Sequence, residues 1–439
     1  MQNFFTPKSV AVIGASKNSK KIGSIIFKQI LTKYKGKAYP INPKQDKILG
    51  KKCYSSVLKV RGKIDLGVIA VPAQAVLNVV DSCGKKGIKN LIIVSSGFKE
   101  IGHHELEKNL YSLLKKYKIK CVGPNCLGVF DAHSNLDTLF LPEDKLTRPK
   151  KGGISFISQS GALGSALVDL AAYDNYGFSK FISYGNATNL DESDYLDYLG
   201  KDPKTKVICL YVEGVKDGKK FLRTCKRIKK PIIVIKGGKT KKGSEATLSH
   251  TGSMAGSYEI YKGAFKQANL IVADSLEQMF HIAKLFTTCP TPKGKRVQVI
   301  TNGGGYGIVT ADGLELQGLE LAKLTHYSTA KLRKKLSHLC SISNPMDLVG
   351  DADTKRYKLA VQTCLRDRNN DILLVVLLPQ TPLITKDVTK IFSKTKKPVV
   401  LVMTGGKQTQ QFKKVLEDQG LPVFDFPDHA VKALAKFTY

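Results

Sequence analysis

Short runs of β-branched and aliphatic residues alternate along this chain with longer amphipathic stretches, and Gly or Pro follows most of the runs. The first five are "SVAVIGAS" (Ser9–Ser16), "AYPINP" (Ala38–Pro43), "LGVIAVP" (Leu66–Pro72), "LIIVSSG" (Leu91–Gly97) and "CVGPNC" (Cys121–Cys126). A strand that is apolar at consecutive positions is buried on both faces. Such strands, separated by helix-length segments, predict a parallel sheet covered on both sides: a doubly wound α/β domain.

The pattern breaks at the Pro- and charge-rich "LPEDKLTRPKKGG" (Leu141–Gly153) and then restarts. The second series is "ISFISQSG" (Ile154–Gly161), "FISYGN" (Phe181–Asn186), "VICLYVEG" (Val207–Gly214) and "IIVIKGG" (Ile232–Gly238). A second break, "TTCPTPKGKR" (Thr287–Arg296), precedes "VQVITNGGG", "ILLVVLLP", "VVLVMTGG" and "PVFDFP", the last ending at Pro427. The expectation is three consecutive α/β domains, 1–145, 150–288 and 295–439, with short linkers and no sequence repeat among them.

A length of 439 residues suits that number, and 42% hydrophobic with 24% charged residues is the globular range. The formal net charge of +34 raises nucleic-acid binding as a reading. The lysines are nevertheless spread as pairs over the whole length, with no basic tail and no nucleic-acid fold signature, so a solvated lysine-rich surface is the expectation. Nine dispersed cysteines without a CxxC pair indicate neither a zinc site nor a disulfide framework and fit a reducing cytoplasm; no metal site is expected. There is no signal-peptide pattern, and the longest apolar runs fall far short of the ~20 residues of a membrane helix.

The candidate chemistry lies where strands end. "IGASKNSKKIGS" (Ile13–Ser24) is not a GxGxxG fingerprint, and the second strand ends in "INPK" (Ile41–Lys44) instead of an acid. That favours a phosphorylated group over a nucleotide ribose, although a plain strand–helix turn would read the same way. "SQSGAL" (Ser158–Leu163) is an N-cap that also offers hydroxyls and free N–H groups to an anion. Glu213 in "YVEG" stands at a strand's carboxyl end, where a ligand contact, a cap and a salt bridge are all open to it. His250 sits in "SEATLSHTGSMAGS" (Ser244–Ser257), within a span from Gly237 to Gly263 that holds six glycines. Such a setting suits a segment that moves. A histidine between a carboxylate and a helix N-terminus can accept a phosphoryl group on nitrogen, with the carboxylate steadying the charged ring.

Seven stretches in order carry a resemblance: "PKSVAVIGAS", "YPINPK", "IAVPA", "GPNCLG", "FISQSGALG", "YVEGVKDG" and "SHTGSMAGS". The chain resembles the alpha subunit of the ADP-forming acyl-CoA synthetases (acetate–CoA ligase type), in the succinyl-CoA synthetase superfamily, over essentially its whole length. The resemblance implies a Rossmann-like CoA-binding domain followed by two flavodoxin-like, succinyl-CoA synthetase-like domains. It implies the reversible conversion of acyl-CoA, ADP and phosphate to acid, CoA and ATP through an acyl phosphate and a phosphohistidine. It maps the phosphohistidine onto His250 and its stabilising acid onto Glu213. Phosphate-holding helix N-termini fall on Ser158, Gln159, Ser160 and Gly161, and on Thr251 and Gly252 beside His250. CoA would use Gly14, Ala15, Ser16, Asn42, Lys44, Val71, Pro72 and the Ser95–Ser96–Gly97 turn, with Asn125 and Cys126 near the thiol end. One departure is Tyr306 in "TNGGGYG", where the family commonly has Pro.

The same resemblance sets the partners. No ATP-grasp segment is found, so ADP/ATP with Mg is expected on a separate ATP-grasp beta subunit in an alpha2beta2 assembly, with no nucleic acid and no membrane. CoA enters as a substrate, with no bound metal or prosthetic group in this chain. The alternatives are a CoA- or acyl-CoA-sensing protein without turnover and a succinyl-CoA synthetase-like ligase for another acid; the chain ends at "KALAKFTY" without an acetyltransferase domain, and intact His250 and Glu213 weigh against a sensor.

Overall fold

The computed structural model describes residues 1–245, 257–393 and 395–438, which form two compact units, Met1–Ala273 and Asp274–Tyr439. All the runs read as strands are strands, and those of the first sheet order as Lys37–Ile41, Ser9–Ile13, Leu66–Ile69, Asn90–Ile93 and Lys120–Val122, all parallel. In chain order this is 2-1-3-4-5. The strand order therefore reverses between Ser9–Ile13 and Leu66–Ile69, and a crevice opens past their carboxyl ends.

The second sheet of the same unit repeats the design. Its parallel strands run Ile271–Val272, Ile232–Lys236, Val207–Val212, Lys151–Ser158 and Phe178–Ser183, so the reversal falls between Lys151–Ser158 and Val207–Val212. Two further strands, Gly128–Asp131 and Leu136–Asp137, extend this sheet antiparallel beyond Phe178–Ser183, with Phe181 opposite Phe130. The sequence expectation kept residues 1–145 in one domain; the hairpin instead covers an edge of the second sheet that would otherwise expose unpaired backbone groups. Buried ion pairs fix it there: Lys180 Nζ lies 3.4 Å from Asp131 and 2.8 Å from Asp202, and Arg148 Nε lies 2.7 Å from Asp137. One continuous apolar core runs from Val10, Val12 and Ile92 in the first sheet to Ile157, Ile182 and Leu210 in the second.

Among the described residues the second unit holds one sheet, ordered Glu320–Leu321, Arg296–Thr301, Ile372–Val376, Val399–Val402 and Val423–Phe424, with Met346–Asp347 also paired to Arg296–Thr301. The helix Leu276–Thr288, which the sequence reading put at the end of the second domain, falls in this unit. It buries Met279, Phe280 and Ile282, and Phe286 meets Phe437 of the helix Pro427–Phe437 edge to face at 4.8 Å. Among the described residues no helix is long and apolar enough to cross a membrane.

Candidate functional site

A cavity of about 1550 Å³ opens in the first unit, and both strand-order reversals of that unit deliver residues to it. From the first sheet come Gly14, Ser16, Asn42, Lys44, Val71, Pro72, Ser95 and Ser96; from the second come Gln159, Ser160, Gly161 and Glu213. Asn125 and Cys126, on the segment that leads from one sheet to the other, line it as well. Of the remaining residues read from the sequence, Ala15, Gly97 and Ser158 do not line it. His250, Thr251 and Gly252 lie outside the described residues.

The turn after the first strand is shaped by glycine. Gly14 has φ +94°, and a Cβ there would stand 2.3 Å from the Ala70 carbonyl oxygen, so the backbone passes against the neighbouring strand end with no room for a side chain. A Cβ on Gly23 would fall 2.1 Å from the Gly14 carbonyl, which lets the helix Ile22–Lys33 start tight against that turn. Asn42 locks the opposite wall: its Nδ2 donates to the Ala15 carbonyl at 2.7 Å and its Oδ1 accepts from the Lys44 N–H at 2.9 Å. Ser95 Oγ donates to the Val71 carbonyl at 2.5 Å. The Cys126 thiol is buried against the Ile93 carbonyl, and burial pushes it up to about 12, so it stays protonated.

Across the cavity, Ser160 caps the helix Gly161–Tyr173 by accepting from the Leu163 N–H, and Gly161, Ala162 and Ser165 face the open space. The helix thus turns its N-terminus, with its uncompensated N–H groups and positive dipole end, toward the cavity. Ser158 Oγ donates to the Ser160 carbonyl at 2.7 Å and holds the turn. Gln159 does the work of a clasp: its Oε1 accepts from the N–H groups of Glu213 at 2.8 Å and Gly214 at 3.2 Å, tying the two strand ends of the reversal together. Glu213 itself accepts from the Tyr211 hydroxyl at 3.3 Å. Lys236, buried beneath it, has its ammonium pushed down by burial, with Glu213 opposing that shift.

Several lining residues were not singled out from the sequence. Asn186 joins the two halves: its Nδ2 donates to Glu100 at 2.7 Å and Glu107 at 2.8 Å, while its carbonyl accepts from Lys99 at 2.7 Å and Lys216 at 3.1 Å. Burial, aided by Lys99, lowers Lys216 to about 8. Glu192 is 2% exposed, its Oε1 has no hydrogen-bond partner, and burial raises its carboxyl to about 7. The signal for these residues was present in part. Lys216 closes the "YVEGVK" stretch, Asn186 ends "FISYGN" and Glu192 follows it, where ligand-facing residues of a parallel sheet gather.

The sequence matches the family described as CoA binding domain over residues 8–132 and the succinyl-CoA ligase like flavodoxin domain over residues 151–286. It is 39% identical to the acetate–CoA ligase [ADP-forming] II subunit alpha of Pyrococcus furiosus, across 98% of this chain and 95% of that one. The chain belongs to the ADP-forming acetate–CoA ligase family. It is also 43% identical to the acetate–CoA ligase [ADP-forming] of Methanocaldococcus jannaschii, but there 98% of this chain spans only 62% of that protein. The family thus includes alpha subunits of this length and longer chains. Among solved structures, the dinucleotide forming acetyl-coenzyme A synthetase 1 of Ca. Korarchaeum cryptofilum, in complex with phosphate and ADP, superposes with a TM-score of 0.93 at 38% identity, covering 99% of this chain and 96% of that one.

Proposed function

We propose that this chain carries the CoA site and the phosphohistidine of an ADP-forming acyl-CoA synthetase with acetate as its acid, and that an ATP-grasp beta subunit carries the ADP/ATP site with its Mg. The observation that carries this reading is the cavity shared by two strand-order reversals. One side presents a glycine turn with Asn42 and Lys44, suited to the phosphorylated end of CoA; the other presents a helix N-terminus beside Glu213, suited to phosphate and to a charged imidazole.

In this reading a phosphate oxygen attacks the thioester carbonyl carbon, the C–S bond breaks, and CoA leaves as a thiolate that takes up a proton. The acyl phosphate remains at the helix N-terminus, whose N–H groups hold its oxygens. An imidazole nitrogen of His250 then attacks phosphorus, the P–O bond to the acyl group breaks, and acetate departs with the electron pair. Glu213 steadies the positive ring. A β-phosphate oxygen of ADP on the partner finally takes the phosphoryl group, and the N–P bond breaks to return neutral histidine. The buried, protonated Cys126 plays no nucleophilic part.

Incubation of the purified chain with acetyl-CoA and labelled inorganic phosphate should give an acid-labile, alkali-stable label that His250→Asn abolishes. ATP alone should not label the chain until an ATP-grasp subunit is added. An acid-stable label on Ser249 or Thr251 would overturn the assignment of the carrier, and efficient labelling by ATP alone would overturn the division of labour.

A further inference from the structure

We propose that Glu277, His281 and His429 of the second unit form a binding site for one divalent transition-metal ion of the zinc class. None of these residues lines the cavity, and none lies in a stretch that carries the family resemblance. Glu277 and His281 are one turn apart on the helix Leu276–Thr288, and His429 projects from the helix Pro427–Phe437 packed beside it.

One ligand atom from each residue lies within 4.8 Å of the others. Glu277 Oε1 is 3.9 Å from His281 Nε2 and 3.7 Å from His429 Nδ1. Donors around a tetrahedral zinc ion, bonded at about 2.0–2.1 Å, stand about 3.3 Å apart. The site is therefore slightly open, and Glu277, with 61% of its side chain exposed, has the freedom to close it. The histidines have less freedom: their rings lie 4.9 Å apart at 35°, with Phe424 edge-on to His281 at 5.3 Å and Phe426 edge-on to His429 at 5.5 Å. That aromatic setting holds the donor atoms of the two half-buried imidazoles close together.

The surroundings match the donors. His429 uses Nδ1 toward Glu277, which leaves its other ring nitrogen, Nε2, free of the cluster; Asp428, 4.0 Å from that nitrogen, is paired instead with Lys432 at 3.3 Å. The nearest lysine of the helix, Lys284, is engaged by Glu417 at 3.1 Å and the Val423 carbonyl at 2.9 Å. Two imidazoles and one carboxylate select Zn²⁺, Co²⁺, Ni²⁺ or Cu²⁺ over Mg²⁺ and Ca²⁺, which prefer all-oxygen sets. The fourth position is left to water. An ion here would staple the two helices, so it would bind the folded unit in preference to the unfolded chain.

The test uses the full chain after EDTA treatment and dialysis. Calorimetric titration with Zn²⁺ should show one equivalent bound, Co²⁺ should produce visible d–d absorption, and Zn²⁺ should raise a thermal-unfolding midpoint while Mg²⁺ does not. Glu277→Gln and His429→Gln should each weaken Zn²⁺ by tenfold or more. Circular dichroism confirms that these variants fold. His250→Asn should bind Zn²⁺ unchanged, which separates this site from the phosphoryl carrier. Absence of Zn²⁺ binding in the calorimetric titration would overturn the proposal. So would unchanged binding by the folded Glu277→Gln/His429→Gln double variant.

Discussion

Glu192 shows how much one buried carboxyl can weigh. Its pKa rises from 4.5 to about 7 because burial penalises the charged form, with Asp191 adding to the shift and Lys216 and Lys220 opposing it. In the unfolded chain the group ionises near its ordinary value, so between roughly pH 4.5 and 7 the folded state binds more protons and stability falls as pH rises. Below that window the penalty is absent; above it the penalty is complete, at about 3 kcal/mol for a shift of this size. Glu192→Gln should therefore raise the thermal-unfolding midpoint at pH 7.5 and flatten the decline between pH 5 and 7. A profile identical to that of the parent would show that Glu192 ionises normally. Glu213 answers to different physics. Glu213→Gln keeps the shape but removes the charge proposed to steady an imidazolium, so labelling of His250 should slow by about 10²–10³-fold while CoA affinity stays within twofold to threefold. Normal labelling by this variant would remove Glu213 from the mechanism.

At the scale of elements, the first strand–helix turn is the least forgiving. Gly23 opens its helix with the Gly14 carbonyl where a side chain would be, and that carbonyl is backbone, so it cannot swing aside. Gly23→Ala should cost about 1–3 kcal/mol of stability through overpacking and should also displace the turn that lines the cavity, weakening CoA. Gly218, with nothing near its would-be Cβ, serves as the control: Gly218→Ala should leave CoA binding unchanged. Loss of CoA affinity in both variants would mean that helix starts in general, and not this turn, govern the site. The helix Gly161–Tyr173 is held from two directions, by the Ser160 cap and by the Gln159 clasp to Glu213 and Gly214. Removal of the Ser160 hydroxyl therefore loosens an end that also offers N–H groups to the cavity.

For the whole molecule the dominant quantity is charge, with 70 Lys and Arg against 36 Asp and Glu. A net +34 attracts any polyanion, and CoA with its phosphates is one. The association rate for CoA should fall several-fold between roughly 10 and 150 mM salt, as the screening length shrinks from about 30 to about 8 Å. A stopped-flow rate that ignores salt would show that the field does not reach the cavity. Lys44→Glu should weaken CoA much more than acetyl phosphate, because Lys44 lines the cavity from the first sheet whereas the helix N-terminus proposed for phosphate belongs to the second. Mixed-sequence duplex DNA should not be retained at physiological salt, and nanomolar binding there would mean that the charge serves nucleic acid.

The strands, the parallel sheets and the breaks between them were legible in the sequence, because a strand buried on both faces must be apolar at successive positions and must end where a turn residue lets the chain leave. The glycine turn at Gly14, the cap at Ser160 and the strand-end Glu213 were legible for the same reason: each is a local answer to a local geometry. Tertiary structure alone decided which strand ends share a cavity, since that follows from the order of strands in two sheets and from the core that packs the sheets together. It alone moved the hairpin Gly128–Asp131 and Leu136–Asp137 into the second sheet, where Lys180 and Arg148 supply its buried counter-charges. Asn186 and Glu192 look like ordinary polar residues until Glu100, Lys99 and Lys216 arrive from distant positions, and His281 looks like one more helix residue until His429 packs against it. Periodicity records whether a side chain is buried; it does not record what it is buried against, because that partner is chosen by contacts between segments remote along the chain.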